Sequence, residues 1–318
     1  MLRWGIAGLG NIAHRVAADF RYVENGVLTC VASRSADKAK KFAQQYGADR
    51  VYSDYEQMAK SDAIDAVYIA TIHPTHYQIA KLFLSYGKHV MVEKPAVISV
   101  QQWQDLVEVA HQNQCFLMEA MKFPLFPAYR QLKQHLNQNS ESITNINACF
   151  GNYHPFDDQW HLFDKTLYGG AKYDVGCYLL WLYVDLLEIK NYDELELHRF
   201  ESTVNQASLV DERTDFVLSK PVAGVLRSSI VDDYQRSASI TSTDSRIKIH
   251  GKWWNPKYIE IENSQGKVTL DNRSDVGGGF QYEFTHFADC VANGLTQSPI
   301  NSHAKTMVVL SALEANGK

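Results

Sequence analysis

Leu2-Arg3-Trp4-Gly5-Ile6-Ala7-Gly8-Leu9-Gly10-Asn11-Ile12-Ala13 opens the chain with a short apolar run, a glycine turn and the start of an amphipathic segment. The order strand, turn, helix separates this pattern from a chance Gly-x-Gly. Glycines at 8 and 10 let the chain turn tightly and approach an anion, which would rest on the N-terminus of the next helix. Similar apolar runs recur at 27–33, 65–71, 88–92 and 115–119, with a weaker one at Arg50-Val51-Tyr52. Helical patterns separate them, among them Ala36 to Tyr46 behind Ser35 and Ser99 to His111, with Ser35 and Ser99 placed as N-caps. Runs without strict alternation imply strands buried on both faces. Strand and helix repeated in this way imply right-handed parallel crossovers. Residues 1–122 are therefore expected to form an N-terminal α/β domain, a doubly wound parallel sheet of Rossmann type.

The rhythm changes after a helical stretch at 127–138. A strand is expected at 143–153 and a helix at 175–187. Strands follow at 195–206, 213–219, 223–231, 237–242, 245–250, 257–262 and 267–271. Ile247 and Ile249 alternate with Lys248 and His250, and Ile259 and Ile261 with Glu260 and Glu262. Asn263-Ser264-Gln265-Gly266 reads as a hairpin turn. Residues 123–318 are thus expected to form a C-terminal α+β domain with a large, mostly antiparallel sheet. Helices at 281–293 and 302–315 would close it. Trp253, Trp254 and Tyr258 are candidates to cover the outer sheet face, where a homodimer is expected to form.

Composition narrows the function classes. The chain has 318 residues, 45% hydrophobic and 21% charged, with a formal net charge of −5. That fits about two soluble domains. It lacks the clustered basic surface a nucleic-acid partner needs. No run approaches the roughly 20 apolar residues of a membrane helix, and the first residues read as strand rather than leader, so the cytoplasm is the expected location. Five scattered cysteines without a C-x-x-C pair argue against a zinc site or a disulfide framework. Cys30 and Cys115 are expected to be small buried hydrophobes.

The chemistry-bearing residues fall at strand ends, where ligands bind in open α/β sheets. Gly8, Gly10, Asn11, Ile12 and Ala13 would cradle a dinucleotide pyrophosphate. The second strand ends in Ser33-Arg34, where an NAD site would offer an acidic residue to the ribose. Arg34 suits a 2′-phosphate instead, so NADP is the expected cofactor, with NAD as the alternative. Thr71, His73 and His76 would border the nicotinamide ribose. Metal is not expected, since His73 and His76 lack a third ligand, and His76 is equally readable as a hydrogen-bonded interior residue. Glu93-Lys94-Pro95 follows the fifth strand and places Lys94 at the same mouth. Downstream, Gly169-Gly170 precedes a helix on which Asp174 and Tyr178, four apart, share a face.

Taken together, the fingerprint, Ala32-Ser33-Arg34-Ser35, His73-Pro74-Thr75-His76, Glu93-Lys94-Pro95, Phe116-Leu117-Met118-Glu119-Ala120, Asp174-Val175-Gly176-Cys177-Tyr178 and Gly279-Phe280-Gln281-Tyr282-Glu283 resemble the glucose–fructose oxidoreductase / inositol dehydrogenase / MocA family. Within it the resemblance is nearest to the dihydrodiol and NADP-dependent xylose dehydrogenases. It implies hydride transfer between a nicotinamide and a sugar, cyclic diol or dicarbonyl compound. It also implies that Lys94 is the active-site lysine, that Asp174 lines the substrate pocket, and that the chain dimerises through its C-terminal sheet. Lys94 and Tyr178 would handle the proton as a pair. Met121-Lys122-Phe123-Pro124 and Lys172-Tyr173 depart from the family pattern. Two other readings stand beside this one: a non-catalytic NADP(H)-binding regulator, and a hydrolase or lyase using transient oxidation with tightly held NAD.

Overall fold

The computed structural model describes residues 1–315. They divide into two compact units, one of residues 1–122 with 276–303 and one of 123–275 with the residues from 304 on.

The first unit carries β1 (Leu2–Ala7), α1 (Asn11–Asp19), β2 (Gly26–Ala32), α2 (Ala36–Tyr46), β3 (Arg50–Tyr52), α3 (Tyr55–Lys60), β4 (Ala66–Ile69), α4 (His76–Ser85), β5 (His89–Glu93), α5 (Val100–Gln112) and β6 (Leu117–Ala120). The strands form one six-stranded sheet in the order β3-β2-β1-β4-β5-β6, and every neighbouring pair is parallel. This is the doubly wound order, whose direction of winding reverses between β1 and β4. The Ser35 hydroxyl accepts from Lys38 N at 3.4 Å and Ser99 from Gln102 N at 3.2 Å, so both expected caps start their helices. The short helix α3 was not foreseen; Asp54 caps it by accepting from Glu56 N at 2.7 Å.

In the second unit the chain continues through α6 (Pro127–Gln138), β7 (Ile143–Gly151), α7 (Cys177–Leu186), β8 (Glu196–Ser202), β9 (Arg213–Lys220), β10 (Ala223–Ser229), β11 (Ala238–Ser242), β12 (Ser245–Ile249), β13 (Tyr258–Asn263) and β14 (Gly266–Asp271). Its eight-stranded sheet has the order β14-β13-β12-β11-β7-β10-β9-β8. Only the β7–β10 pairing is parallel. The hairpin at 263–266 closes on the pair Asn263–Gly266, and Gly266 has φ +136, where a side chain would be strained. Helix α7 is buried nearly all round and packs on β7 and β10. In its last turn Asp185 is fully buried and accepts from Lys305 Nζ at 2.6 Å, Tyr129 Oη at 2.9 Å and Lys133 Nζ at 3.1 Å.

Two helices complete the chain, α8 (Phe280–Ala292) and α9 (His303–Glu314). A division at 123 assigns α8 to the second domain, but it packs in the first unit. The reason is its aromatic stripe. Phe280, Phe284 and Phe287 recur at i, i+4 and i+7 on one helix face, and the rings of Phe284 and Phe287 each lie 4.6 Å from that of Trp4 on β1. Phe116 meets Phe287 at 4.5 Å. The α8 stripe thus supplies part of the parallel sheet's core. Trp253 and Trp254 also differ from expectation. They are 0% and 8% exposed, packed with Phe150 and, for Trp253, Phe123 inside the second unit, so they do not cover its outer face. Among the described residues no helix is long and apolar enough to cross a membrane.

Candidate active site

The glycine turn is built by two close approaches. Gly8 has φ +89, and a Cβ there would meet Thr71 Cγ2 at 2.7 Å and the Ala70 carbonyl oxygen at 2.8 Å. Any side chain would push the turn off the end of β4. Gly10 differs, since a Cβ there would project into open space. It begins α1, whose first turn, Asn11, Ile12 and Ala13, carries neither an acidic residue nor a side-chain cap. The first N–H groups of a helix have no intrahelical partner and bear partial positive charge. Backbone that comes close at Gly8 and leaves room at Gly10 fits a dinucleotide phosphate.

Ser33 and Arg34 follow β2 as expected. Arg34 is exposed and lies close enough to Tyr55 to offset part of the rise that burial causes in that phenol's pKa. Thr71 borders the Gly8 turn, and its hydroxyl is 2.8 Å from that of Thr75. The rings of His73 and His76 meet edge to face at 5.7 Å. His76 is fully buried. Its Nδ1 lies 3.1 Å from the Pro95 carbonyl oxygen and its Nε2 3.1 Å from that of Thr71. Burial above all, with the nearby Lys94 charge, holds its pKa below the usual histidine value against the pull of these carbonyls. The ring therefore touches main chain on both sides, and any service to a cofactor passes through the turns it holds.

Lys94 is half-buried on the turn after β5. Buried side chains fix that turn from neighbouring elements. The Glu93 carboxylate accepts from Lys94 N at 3.1 Å and from the Tyr68 hydroxyl on β4. Glu119 on β6 accepts from Ala96 N at 2.9 Å. Burial raises the Glu93 pKa, and the nearby Lys94 charge works against that rise. Glu93 was expected on the cofactor side, yet it is 8% exposed and faces inward. The role of Glu119 is not evident from its motif. Its signal was a carboxylate inside an otherwise apolar strand, since a Glu is almost never fully buried without a partner. Lys122, in the stretch that departs from the family pattern, is 4% exposed. It donates to the Gly278 carbonyl at 2.8 Å, and burial, joined by nearby Arg15, pushes its pKa down to about 8.

In the second unit Asp174 lies on the segment entering α7 and Tyr178 in the first turn of that helix. The chain enters at Gly170, φ +104, and a wide π-turn over Lys172–Gly176 runs directly into the helix. The helix thus starts earlier than the expected 175. Asp211 anchors this entry by accepting from Lys172 N at 2.6 Å. π-turns within helices are frequent at functional sites. The Tyr178 ring packs at 5.4 Å on Phe150, which stacks on Trp254 at 3.5 Å. The first unit thus gathers Gly8 to Ala13, Ser33, Arg34, Thr71, His73, His76, Glu93 and Lys94 at the carboxyl ends of its strands, and the second places Asp174 and Tyr178 on one helical segment.

A parallel sheet with a glycine turn at its switch point and a lysine turn two strands away has the layout of a doubly wound nucleotide-binding domain. Residues 2–121 match the GFO/IDH/MocA family, described as an oxidoreductase family with an NAD-binding Rossmann fold. Trans-1,2-dihydrobenzene-1,2-diol dehydrogenase of Xenopus tropicalis is 30% identical, over 98% of this chain and 96% of its own length. The scyllo-inositol 2-dehydrogenase (NADP(+)) IolU of Bacillus subtilis (strain 168) is 28% identical, over 99% and 95%. The crystal structure of aldose-aldose oxidoreductase from Caulobacter crescentus shares the fold, with a TM-score of 0.87 at 20% identity, over 98% and 95% of the two chains. The chain belongs to the GFO/IDH/MocA family and is an oxidoreductase.

Proposed function

We propose that this enzyme is an NADP-dependent dehydrogenase or reductase that works on a CH–OH or C=O carbon of a sugar, cyclic diol or dicarbonyl compound. The observation that carries the reading is the firmly held Lys94 turn, which shares a sheet edge with the Gly8 turn. The names of the relatives, a diol dehydrogenase and an NADP-linked inositol dehydrogenase, support the substrate class and the cofactor. Gly10 and the first amides of α1 would hold the pyrophosphate, with Thr71 and His73 beside the nicotinamide ribose. When bound, the nicotinamide supplies or accepts the hydride. The chain's own residues handle the proton. Lys94 and Tyr178 act on the same hydroxyl proton, a lysine cation favouring tyrosinate, and Asp174 orients the hydroxyl. The test is to incubate the protein with NADP or NAD and a panel of pentoses, hexoses, inositols and diols, following reduced-cofactor absorbance. Failure to turn over any of them with either cofactor removes the proposal.

Cofactor choice follows from Arg34. NADP should be preferred in kcat/KM, and Arg34→Asp should erode or reverse the preference, because a carboxylate repels a 2′-phosphate and accepts from a 2′-hydroxyl. Equal use of NADP and NAD by the unmodified enzyme defeats this assignment.

A homodimer through the second sheet completes the proposal. On β9 and β10 alternate residues face inward (Phe216, Leu218, Leu226) and outward. The outward set includes Val225, 40% exposed, next to the Arg227–Asp215 ion pair, and on β8 Phe200 is 59% exposed. Light scattering should give twice the chain mass at micromolar concentration, and Val225→Asp should shift it to the monomer. A monomer in the unmodified protein overturns it.

A further inference from the structure

Asp211 stands just before β9 and holds the chain where it enters α7. Its main-chain oxygen accepts from Ala171 N at 2.7 Å, and its Oδ2 accepts from Lys172 N at 2.6 Å. Oδ2 also accepts from the Thr214 hydroxyl at 2.5 Å, as the two lone pairs of a carboxylate oxygen allow. Thr214 is fully buried on β9 and pairs with Ser228 of β10. Oδ1 lies against Gly170, where an added Cβ would meet it at 2.3 Å. Gly170, Ala171 and Lys172 therefore rest on one residue that is itself tied to the sheet.

These three residues lead into the π-turn. Asp174 N donates back to the Gly170 carbonyl at 3.2 Å, so the place of Asp174 follows that of the fastened stretch. The wide turn runs straight into the first turn of α7, which carries Tyr178. A slip of one residue turns a side chain by roughly 100° about a helix axis, enough to part Asp174 from the face of Tyr178. We propose that Asp211 is a positioning residue, whose Oδ2 keeps the π-turn in register and so sets where Asp174 stands relative to Tyr178. This rests on the roles given above to those two side chains.

Two substitutions separate a needed acceptor from a side chain that only fills space. Asparagine keeps an oxygen for Lys172 N and Thr214, and alanine keeps none. Burial pushes the Asp211 pKa up to about 6, against the hydrogen bonds from Thr214 and Lys172 N. A pKa above the unfolded value means that ionised Asp211 costs stability above pH 6, a cost that fades as the pH falls to about 4. Asp211→Asn removes the charge, so its urea midpoint at about pH 8 should equal or exceed that of the unmodified protein.

Hydrogen exchange read by mass spectrometry reports on the turn without substrate. Asp211→Ala should lower protection across residues 170–178 by about 3–10-fold, the worth of one hydrogen bond, and Asp211→Asn should leave it as it was. With the best substrate of the panel, Asp211→Ala should lower kcat by about 10²-fold, the cost of a misplacement of about 1 Å, with NADPH affinity unchanged. Asp211→Asn should stay within about 3-fold of the unmodified kcat. Alanine and asparagine variants that lose alike, or an alanine variant that keeps full rate and protection, overturn the proposal. So does a fall in NADPH affinity that matches the fall in kcat, since that marks general loosening. If no substrate is turned over, the reading of the site fails, and the exchange comparison still decides whether Asp211 holds the turn. If Asp211→Ala does not fold, Thr214→Val carries the test. It frees Oδ2 from β9 and should lower protection of 170–178; unchanged exchange there overturns the proposal.

Discussion

Lys94→Met and Tyr178→Phe should each lower kcat by about 10²–10⁴-fold, the usual contribution of general acid–base participation, with NADP affinity nearly unchanged. Free tyrosine and lysine titrate near 10 and 10.4, too high for efficient proton transfer at neutral pH, so in the proposed pair each side chain would depend on the other. If the two act as a pair, as proposed, the double variant should lose far less than the product of the single losses. Asp174→Asn should cost less, since it alters orientation and leaves the proton carriers in place. Steady-state kinetics with the best substrate of the panel, combined with NADPH titration, checks all four proteins. Near-full turnover by Tyr178→Phe would remove the tyrosine from the mechanism and leave the proton to Lys94 or water. Strictly multiplicative losses would show two independent contributions.

The second large effect is on stability. Asp185→Ala should destabilise the protein by about 3–5 kcal/mol, the cost of stripping one partner from a buried ion pair. The carboxylate is 0% exposed, and Lys305, 5% exposed, donates to it along with Lys133 and Tyr129. Without Asp185 the Lys305 ammonium loses its fully buried partner, while the pairing with half-exposed Glu188 remains. Urea unfolding monitored by tryptophan fluorescence measures the loss. Pairing Asp185→Leu with Lys305→Met should recover most of it, because replacing a buried pair by apolar groups is often neutral. A single-variant loss below about 1 kcal/mol would mean that water or relaxation rescues the site.

Much of the architecture was legible because its signals are local. Ser35 and Gly47 bracket α2, Pro127 and the apolar spacing of α6 mark its limits, and the alternating isoleucines of β12 and β13 fix which face is buried. What escaped is non-local. An aromatic stripe says that α8 needs a core, but nothing in residues 280–292 says which sheet provides it. Trp253 and Trp254 look alike in sequence whether they cover a partner or fill their own interior. At the candidate site the residue types and strand ends were readable, whereas the support of the Lys94 turn was not. Glu119 and His76 act through backbone groups far along the chain, and main-chain amides and carbonyls leave no trace in residue identity.

The return of α8 to the first unit bears on the order in which the protein is made. As the chain leaves the ribosome, residues 1–122 emerge complete with six strands, yet the aromatic stripe that joins their core from Phe280 onward arrives about half a chain later. Until then Trp4 and Phe116 lack the α8 rings whose edges and faces they meet, and the nascent domain presents sticky surface of the kind chaperones recognise. A gene fragment cut at 122 should therefore yield an aggregating product, whereas one in which 276–303 is spliced onto 1–122 through a flexible linker holds the missing piece.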